Sequence, residues 1–230
     1  MKLVNKFNHH KLAREDGGPE GRKYVTPDGS RLPSVTTVLD RTKPEESKKA
    51  LENWRRSIGE KKAAEITNEA AFRGTLMHDF LEKSLKGLNP VPGSNIHHRQ
   101  SSRMAGIILE TFLKPSLNEI WGLETNLFYP GMYAGTTDLS GVYQNKSSII
   151  DFKQSNRIKT DDRVEDYKMQ LAAYILAHDK VYGTSIEQGV ILMCTKNFEP
   201  QHWIISGEEL DRYKLLWCHR LSKYYDDISK

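Results

Sequence analysis

Apolar residues at Ile107, Ile108, Phe112 and Leu113 recur at helical spacing and predict a helix over 99–120, with Pro115 bending or interrupting it. After Trp121 the pattern shortens to apolar and β-branched runs at Leu123–Tyr129, Tyr133–Tyr143 and Ser147–Phe152, which predict three strands. With Asn145-Lys146 as the turn between the last two, they form an antiparallel meander. Helical period returns over 163–182, strands are predicted at Gln188–Cys194 and Gln201–Ile205, and a last helix over 208–225. Upstream, Tyr24–Pro33 reads as an extended segment folded over a Pro-Asp-Gly turn, and Ser34–Leu39 as the start of a short helix. Helical composition runs from Glu46 to Lys86, with breaks expected near Gly59 and Gly74 and Thr75 placed to cap a new helix. Pro90, Pro92 and Gly93 end it. Helices, three strands, a helix, two strands and a helix, in that order, imply an α/β or α+β domain with a mixed sheet.

A chain of 230 residues that is 37% hydrophobic can bury one sizeable core, so a single domain over 1–230 is expected. Within it, 1–120 reads as a mostly helical part, 121–206 as the sheet with its helix, and 207–230 as the C-terminal helix. No apolar run approaches the roughly 20 residues needed to span a bilayer. Met1–Asp16 holds four basic residues and no apolar stretch, so no secretory signal is expected, and the cytoplasm of a bacterial or phage-infected cell is the expected setting. Two cysteines, Cys194 and Cys218, stand far apart without metal-ligand spacing and read as buried thiols. The net charge of +4 is unevenly spread. Residues 1–62 carry fifteen basic against nine acidic side chains, and the remainder nineteen against twenty-one. A basic part beside a carboxylate-bearing part suits a protein that handles polyanions.

The candidate chemistry lies in the meander. Asp138 falls in GTTDLSG on the second strand, and Asp151 and Lys153 fall in IIDFKQ at the end of the third. Pairing about the turn brings Asp138 and Asp151 together. Period-two alternation puts Asp151 and Lys153 on one face, with Phe152 turned away. Two close carboxylates repel and invite a divalent cation; with oxygen ligands and no thiolate, Mg²⁺ or Mn²⁺ fits better than Zn²⁺. A salt-bridged Asp–Lys–Asp cluster at a strand end explains the same residues equally well. On the following helix Gln170 and Tyr174 share a face, so Gln170 either reaches the site or is a buried amide bonded to backbone. His78, in RGTLMHDFLE, reads by itself as a solvated or core histidine, and Arg73 as a phosphate contact or a surface charge. Trp54, beside Arg55 and Arg56, reads as the core anchor of an amphipathic helix ahead of a stacking residue, and Glu124 as a solvated strand-edge residue ahead of an outer ligand.

Taken in order, RGTLMH, GTTDLSG, IIDFK and QLAAY resemble the RecB-like branch of the PD-(D/E)XK nucleases. With YVTPDGSRLPSVTTVL, LENWRRSIGE and EITNEAAFRGTLMH, the chain is similar over about 24–182 to the mitochondrial genome maintenance exonuclease group and its phage relatives. The resemblance implies a restriction-endonuclease-like α/β core, a mixed central sheet flanked by helices, with an N-terminal helical part. It implies metal ligation by His78, Asp138, Asp151 and the Phe152 carbonyl, catalysis by Lys153 with Gln170 assisting, and DNA contact by Ser34, Thr36, Arg73 and Tyr174. Some RecB-like relatives hold an iron–sulfur cluster on four cysteines, and two cysteines cannot build one. No GxxxxGK[ST] occurs, so no nucleotide cofactor is expected.

The function expected is therefore Mg²⁺- or Mn²⁺-dependent hydrolysis of single-stranded DNA from its ends, in replication, recombination or repair. A structure-selective flap endonuclease uses the same chemistry. A recombination accessory protein that binds DNA without cutting it is the alternative of another class. Oligomeric state is not legible.

Overall fold

A computed structural model describes residues 2–4, 6–18 and 20–229. The chain opens with β1 (Lys2–Leu3) and a small antiparallel sheet of β2 (Ala13–Glu15), β3 (Lys23–Val25) and β4 (Arg31–Pro33). Helices α1 (Val35–Arg41), α2 (Glu45–Ile58), α3 (Glu60–Leu85) and α4 (Ile96–Ile108) follow. A π-helical turn over Leu109–Leu113 leads into the short α5 (Lys114–Ser116). The long strands β5 (Leu117–Tyr129), β6 (Tyr133–Tyr143) and β7 (Lys146–Ser155) come next, then α6 (Glu165–Tyr182), β8 (Gln188–Thr195), β9 (Pro200–Ser206) and α7 (Gly207–Ile228).

The main sheet has the order β1-β5-β6-β7-β8-β9. Pairing is parallel for β1–β5 and β7–β8 and antiparallel elsewhere, so the sheet is mixed. Helix α6 is the crossover that parallel β7 and β8 require. Alternate residues of the central strands enter two different cores. Ile149, Ile191 and Met193 pack under α1, α6 and α7, whereas Ile150, Phe152, Val190 and Leu192 pack under α3 and α4. Burial on both faces explains why all eight residues of β8 are buried.

The 1–120 part is mostly helical from Val35 onward, and the segment before it forms β1 to β4. Four expectations change. The chain does break at Gly59 (φ 84°), yet α3 runs through Gly74 and Thr75 without interruption. Gly74 sits against Gln154, 3.4 Å from where a Cβ would lie, and the Thr75 hydroxyl donates to the Ala71 carbonyl inside the helix instead of capping one. The helix expected to reach Ile120 ends at Ser116: the π turn absorbs the backbone disturbance of Pro115, and Leu117–Gly122 join the sheet by pairing with β6. The β6–β7 turn is Gln144-Asn145, one residue early, with both residues left-handed (φ 50° and 63°) as a two-residue hairpin loop requires. Of the two thiols Cys194 is buried and Cys218 exposed. Among the described residues no helix is long and apolar enough to cross a membrane.

Candidate active site

Three adjacent strands bring carboxylates into one row. Leu139 of β6 pairs with Leu123 of β5 on one side and Ile150 of β7 on the other. One step along each strand lie Asp138, Glu124 and Asp151. Pairing between β6 and β7 stops at Leu139–Ile150, and β7 continues only alongside β8. Asp138 fills the split: its Oδ2 accepts the Phe152 backbone N–H at 2.6 Å. At the same row Glu124 takes a left-handed backbone (φ 50°) that a glutamate adopts rarely, between the Leu123 and Thr125 pairings.

From the other side, α3 delivers His78. Its Nδ1 lies 3.2 Å from Asp138 Oδ1 and 3.9 Å from Glu124 Oε1. His78, Glu124 and Asp138 each offer a donor atom, and these atoms lie within 4.8 Å of one another. Asp151 is 2% exposed, and its Oδ2 meets the Lys153 ammonium without an aligned hydrogen bond. The ammonium lies 4.9 Å from the centre of the Tyr167 ring. Buried Asp138 and Asp151 beside the Glu124 carboxylate and the His78 imidazole are a donor set that fits a hard divalent cation.

Without a cation these groups neutralise one another. Burial alone would lower the His78 pKa, but Asp138, and Glu124 after it, outweigh burial and push it up to about 10. Burial works to raise Asp138, and the His78 imidazolium overrides it and holds the carboxyl below its usual range. For Asp151 burial wins: helped by Asp138 and opposed by Lys153, it lifts the carboxyl to about 6. Lys153 is raised because Asp151 and Asp138 outweigh its own burial. Such opposed shifts within one cleft are typical of functional sites.

Helix α6 forms the wall of the cleft. The Gln170 side-chain N–H donates to the Tyr174 hydroxyl at 3.1 Å. Tyr174 is packed against β6 so closely that a Cβ at Gly135 would lie 2.6 Å from its ring, which accounts for glycine in GTTD. Ser34 and Thr36 line the same cleft, together with Arg14 of β2 and Arg22 just before β3. Ser34 is the N-cap of α1, accepting the Thr37 backbone N–H at 3.0 Å, whereas Thr36 is exposed. The small sheet is tied down over the cleft. The Asn126 side-chain amide donates to the Thr136 hydroxyl at 2.9 Å, the Tyr24 hydroxyl lies 3.0 Å from that same hydroxyl, and the Leu12 N–H donates to Asn126 Oδ1 at 2.9 Å.

The structure thus gathers His78, Asp138, Asp151, Lys153, Gln170, Tyr174, Ser34 and Thr36 around one cleft. Phe152 contributes its N–H to Asp138, while its side chain is buried beneath α3 and α4. Arg73 is a correction. It is 2% exposed, donates to Gln154 Oε1 at 3.1 Å and to Asn156, and pairs with Glu69 at 3.3 Å, so it bolts α3 to the end of β7 instead of meeting a phosphate. Glu124 is a second correction, because it faces His78 across the site and is not simply a solvated edge. Its place was readable: the β5–β6 hairpin that pairs Tyr129 with Tyr133 sets 124 opposite 138. Trp54 is a third, since α2 buries none of its residues in a core. Arg14 and Arg22 carried no motif signal.

Comparison with known proteins agrees with the motifs. The chain is 29% identical over 202 residues to the mitochondrial genome maintenance exonuclease 1 of Mus musculus, and 26% identical over 204 residues to that of Homo sapiens. Each match covers 84% of this chain but only 59% and 58% of those proteins, so the chain spans less than two thirds of their length. No protein-family model matches. Among solved structures, a candidate exonuclease from Eubacterium rectale superposes with a TM-score of 0.48 at 16% identity, over 68% of this chain and 66% of that one.

Proposed function

We propose that this chain, a homologue of the mitochondrial genome maintenance exonucleases with a PD-(D/E)XK-like site, hydrolyses phosphodiester bonds of DNA with a divalent cation, Mg²⁺ or Mn²⁺. The observation that carries the reading is the row of Glu124, Asp138 and Asp151 across three strands, with His78 at one end and Lys153 at the other. A structural salt-bridge cluster does not need the strained backbone at Glu124. His78, Asp138 and Asp151, with the Phe152 carbonyl and Glu124, would hold the cation. When bound, it supplies Lewis acidity toward the phosphodiester.

The chain's own groups do the rest. Lys153, fixed by Asp151 and the Tyr167 ring, presents a charged donor where negative charge grows during displacement. Gln170 and Tyr174 hold each other and give the cleft a rigid polar wall. Thr36, with its exposed hydroxyl at the cleft, and Ser34 behind it are the proposed DNA contacts of the α1 N-terminus.

The substrate proposed is single-stranded DNA, attacked from its ends, by an enzyme of the RecB-like branch. Digestion of end-labelled single strands tests this. Cleavage is expected with Mg²⁺ or Mn²⁺, and none with EDTA or with Lys153→Ala; undiminished cleavage by the variant would sink the assignment. Blocking both ends separates an exonuclease, which then loses nearly all activity, from a flap endonuclease, which does not.

A further inference from the structure

Lys153 of the cleft lies against the ring of Tyr167, which also lines a second groove of about 560 Å³ between the segment that follows β7 and the facing α3 and Trp54 of α2. Arg157, Lys159 and Lys196 line it, and among the described residues none of the three is ion-paired. The one carboxylate in its lining, Glu69, is engaged by Arg73 at 3.3 Å and lies 4.0 Å from His97.

These cations are held in place by their backbones. The Lys159 N–H donates to the Gln201 side chain, whose amide donates back to the Lys159 carbonyl, both at 2.9 Å. The Lys196 N–H donates to the Ser155 carbonyl at 2.8 Å, and Gln100 donates to the Lys196 carbonyl at 2.9 Å. Partial burial, with Arg163 and Arg157 close by, holds the Lys159 ammonium below its ordinary value. Positive charge collected without a counter-charge favours an anion.

Opposite the cations stand Trp54 of α2 and Ile66 and Ala70 of α3. Ala50, Leu51, Trp54 and Ile58 share one face of α2, and none is covered by a core: Leu51 is 41% and Ile58 37% exposed. Trp54 is half-buried in the groove itself. The groove therefore offers a π surface on one side and a line of fixed cations on the other.

We propose that this groove holds the single-stranded DNA that runs on from the scissile phosphate, its bases against Trp54 and its phosphates on Arg157, Lys159 and Lys196. The assignment rests on the nuclease reading above for its direction but has its own binding test. Unpaired bases supply flat apolar faces and an anionic backbone together; a duplex hides its bases and would leave the α2 face unmatched.

Binding of a fluorescein-labelled 20-nucleotide single strand is measured in Ca²⁺ and in EDTA over a range of salt. Arg157→Ala/Lys159→Ala/Lys196→Ala is expected to weaken it at least tenfold and to flatten the log–log salt dependence by about 2. Trp54→Ala is expected to cost about tenfold, and Trp54→Phe to recover most of that. Hydrolysis of bis(p-nitrophenyl) phosphate, too small to reach the groove, should stay within about twofold of wild type for every variant that keeps the wild-type melting temperature. Unchanged affinity and salt slope in the triple variant would overturn the proposal, even with the nuclease reading intact. Loss of duplex binding equal to loss of single-strand binding would overturn the choice of ligand. If wild type cleaves neither DNA nor the small ester, the nuclease reading fails, while the binding isotherms still decide the groove.

Discussion

Two clefts lie on either side of the Lys153–Tyr167 contact and both are lined by cations, but the cations are held differently. In the cleft under the small sheet, Arg14 and Arg22 share one carboxylate, Asp16, at 2.8 Å and 2.6 Å. In the groove under α2, Arg157, Lys159 and Lys196 have no carboxylate partner among the described residues. A guanidinium already bonded to a carboxylate is oriented but partly neutralised, so it guides a phosphate more than it attracts one. An unneutralised ammonium near others of like sign does the reverse. On the proposed function, the difference gives alignment to the first cleft and grip to the second.

The strongest way to break that division is at the carboxylate row of the first cleft. Asp138→Asn keeps the shape of the carboxylate and removes its charge; kcat on single-stranded DNA is expected to fall by about a thousandfold, a size seen when preorganised electrostatics are lost. Affinity for the strand should stay within a few-fold, and an equal collapse of binding would mean that the centre and the grip are one device. Next in size is Arg73→Ala, which leaves Gln154 and Asn156 without their charged donor beneath the groove. Chemical denaturation should show a loss of about 1–3 kcal/mol, with chemistry on the small ester retained. A surface-like response, near zero, would show that the bolt does not hold. The smallest change sharpens the contrast: Asp16→Asn releases both arginines of the first cleft. If pairing is what mutes them, affinity for DNA at low salt should rise about two- to fivefold and the salt dependence should steepen by up to about 1.

Much of the centre was legible because hairpin register follows from short-range geometry. The alternation of IIDFK placed Asp151 with Lys153, and the turn near 145 brought Asp138 beside Asp151, even though the turn itself lies one residue earlier. The same arithmetic applied to the β5–β6 hairpin reaches Glu124, which strand-edge reasoning set aside. His78 became a site residue only through the resemblance, since a helical histidine carries no register. What stayed hidden depended on neighbours distant in sequence. The burial of Arg73 is made by Gln154 and Asn156 from the end of β7. The apolar face of α2 predicted a core contact, but none of its residues is fully buried. Gly74 and Thr75 looked like a helix boundary, yet α3 continues with Gln154 packed on the glycine. Leu117–Ile120 read as the end of a helix by pattern, and pairing with the partner strand decided otherwise.

The left-handed backbone at Glu124 sets stability against activity at a single residue. An L-residue with a side chain occupies that region at a cost of about 1 kcal/mol, and glycine does not. For the fold alone glycine suits position 124 better; on the proposed function the glutamate there gives its carboxylate to the site. Thermal melting makes the trade visible: Glu124→Gly should melt at or above wild type and Glu124→Ala should not gain, while both lose the carboxylate and slow the reaction alike. A Glu124→Gly variant that melts well below wild type would show that the residue holds the strand, and that its backbone conformation is not a burden carried for chemistry.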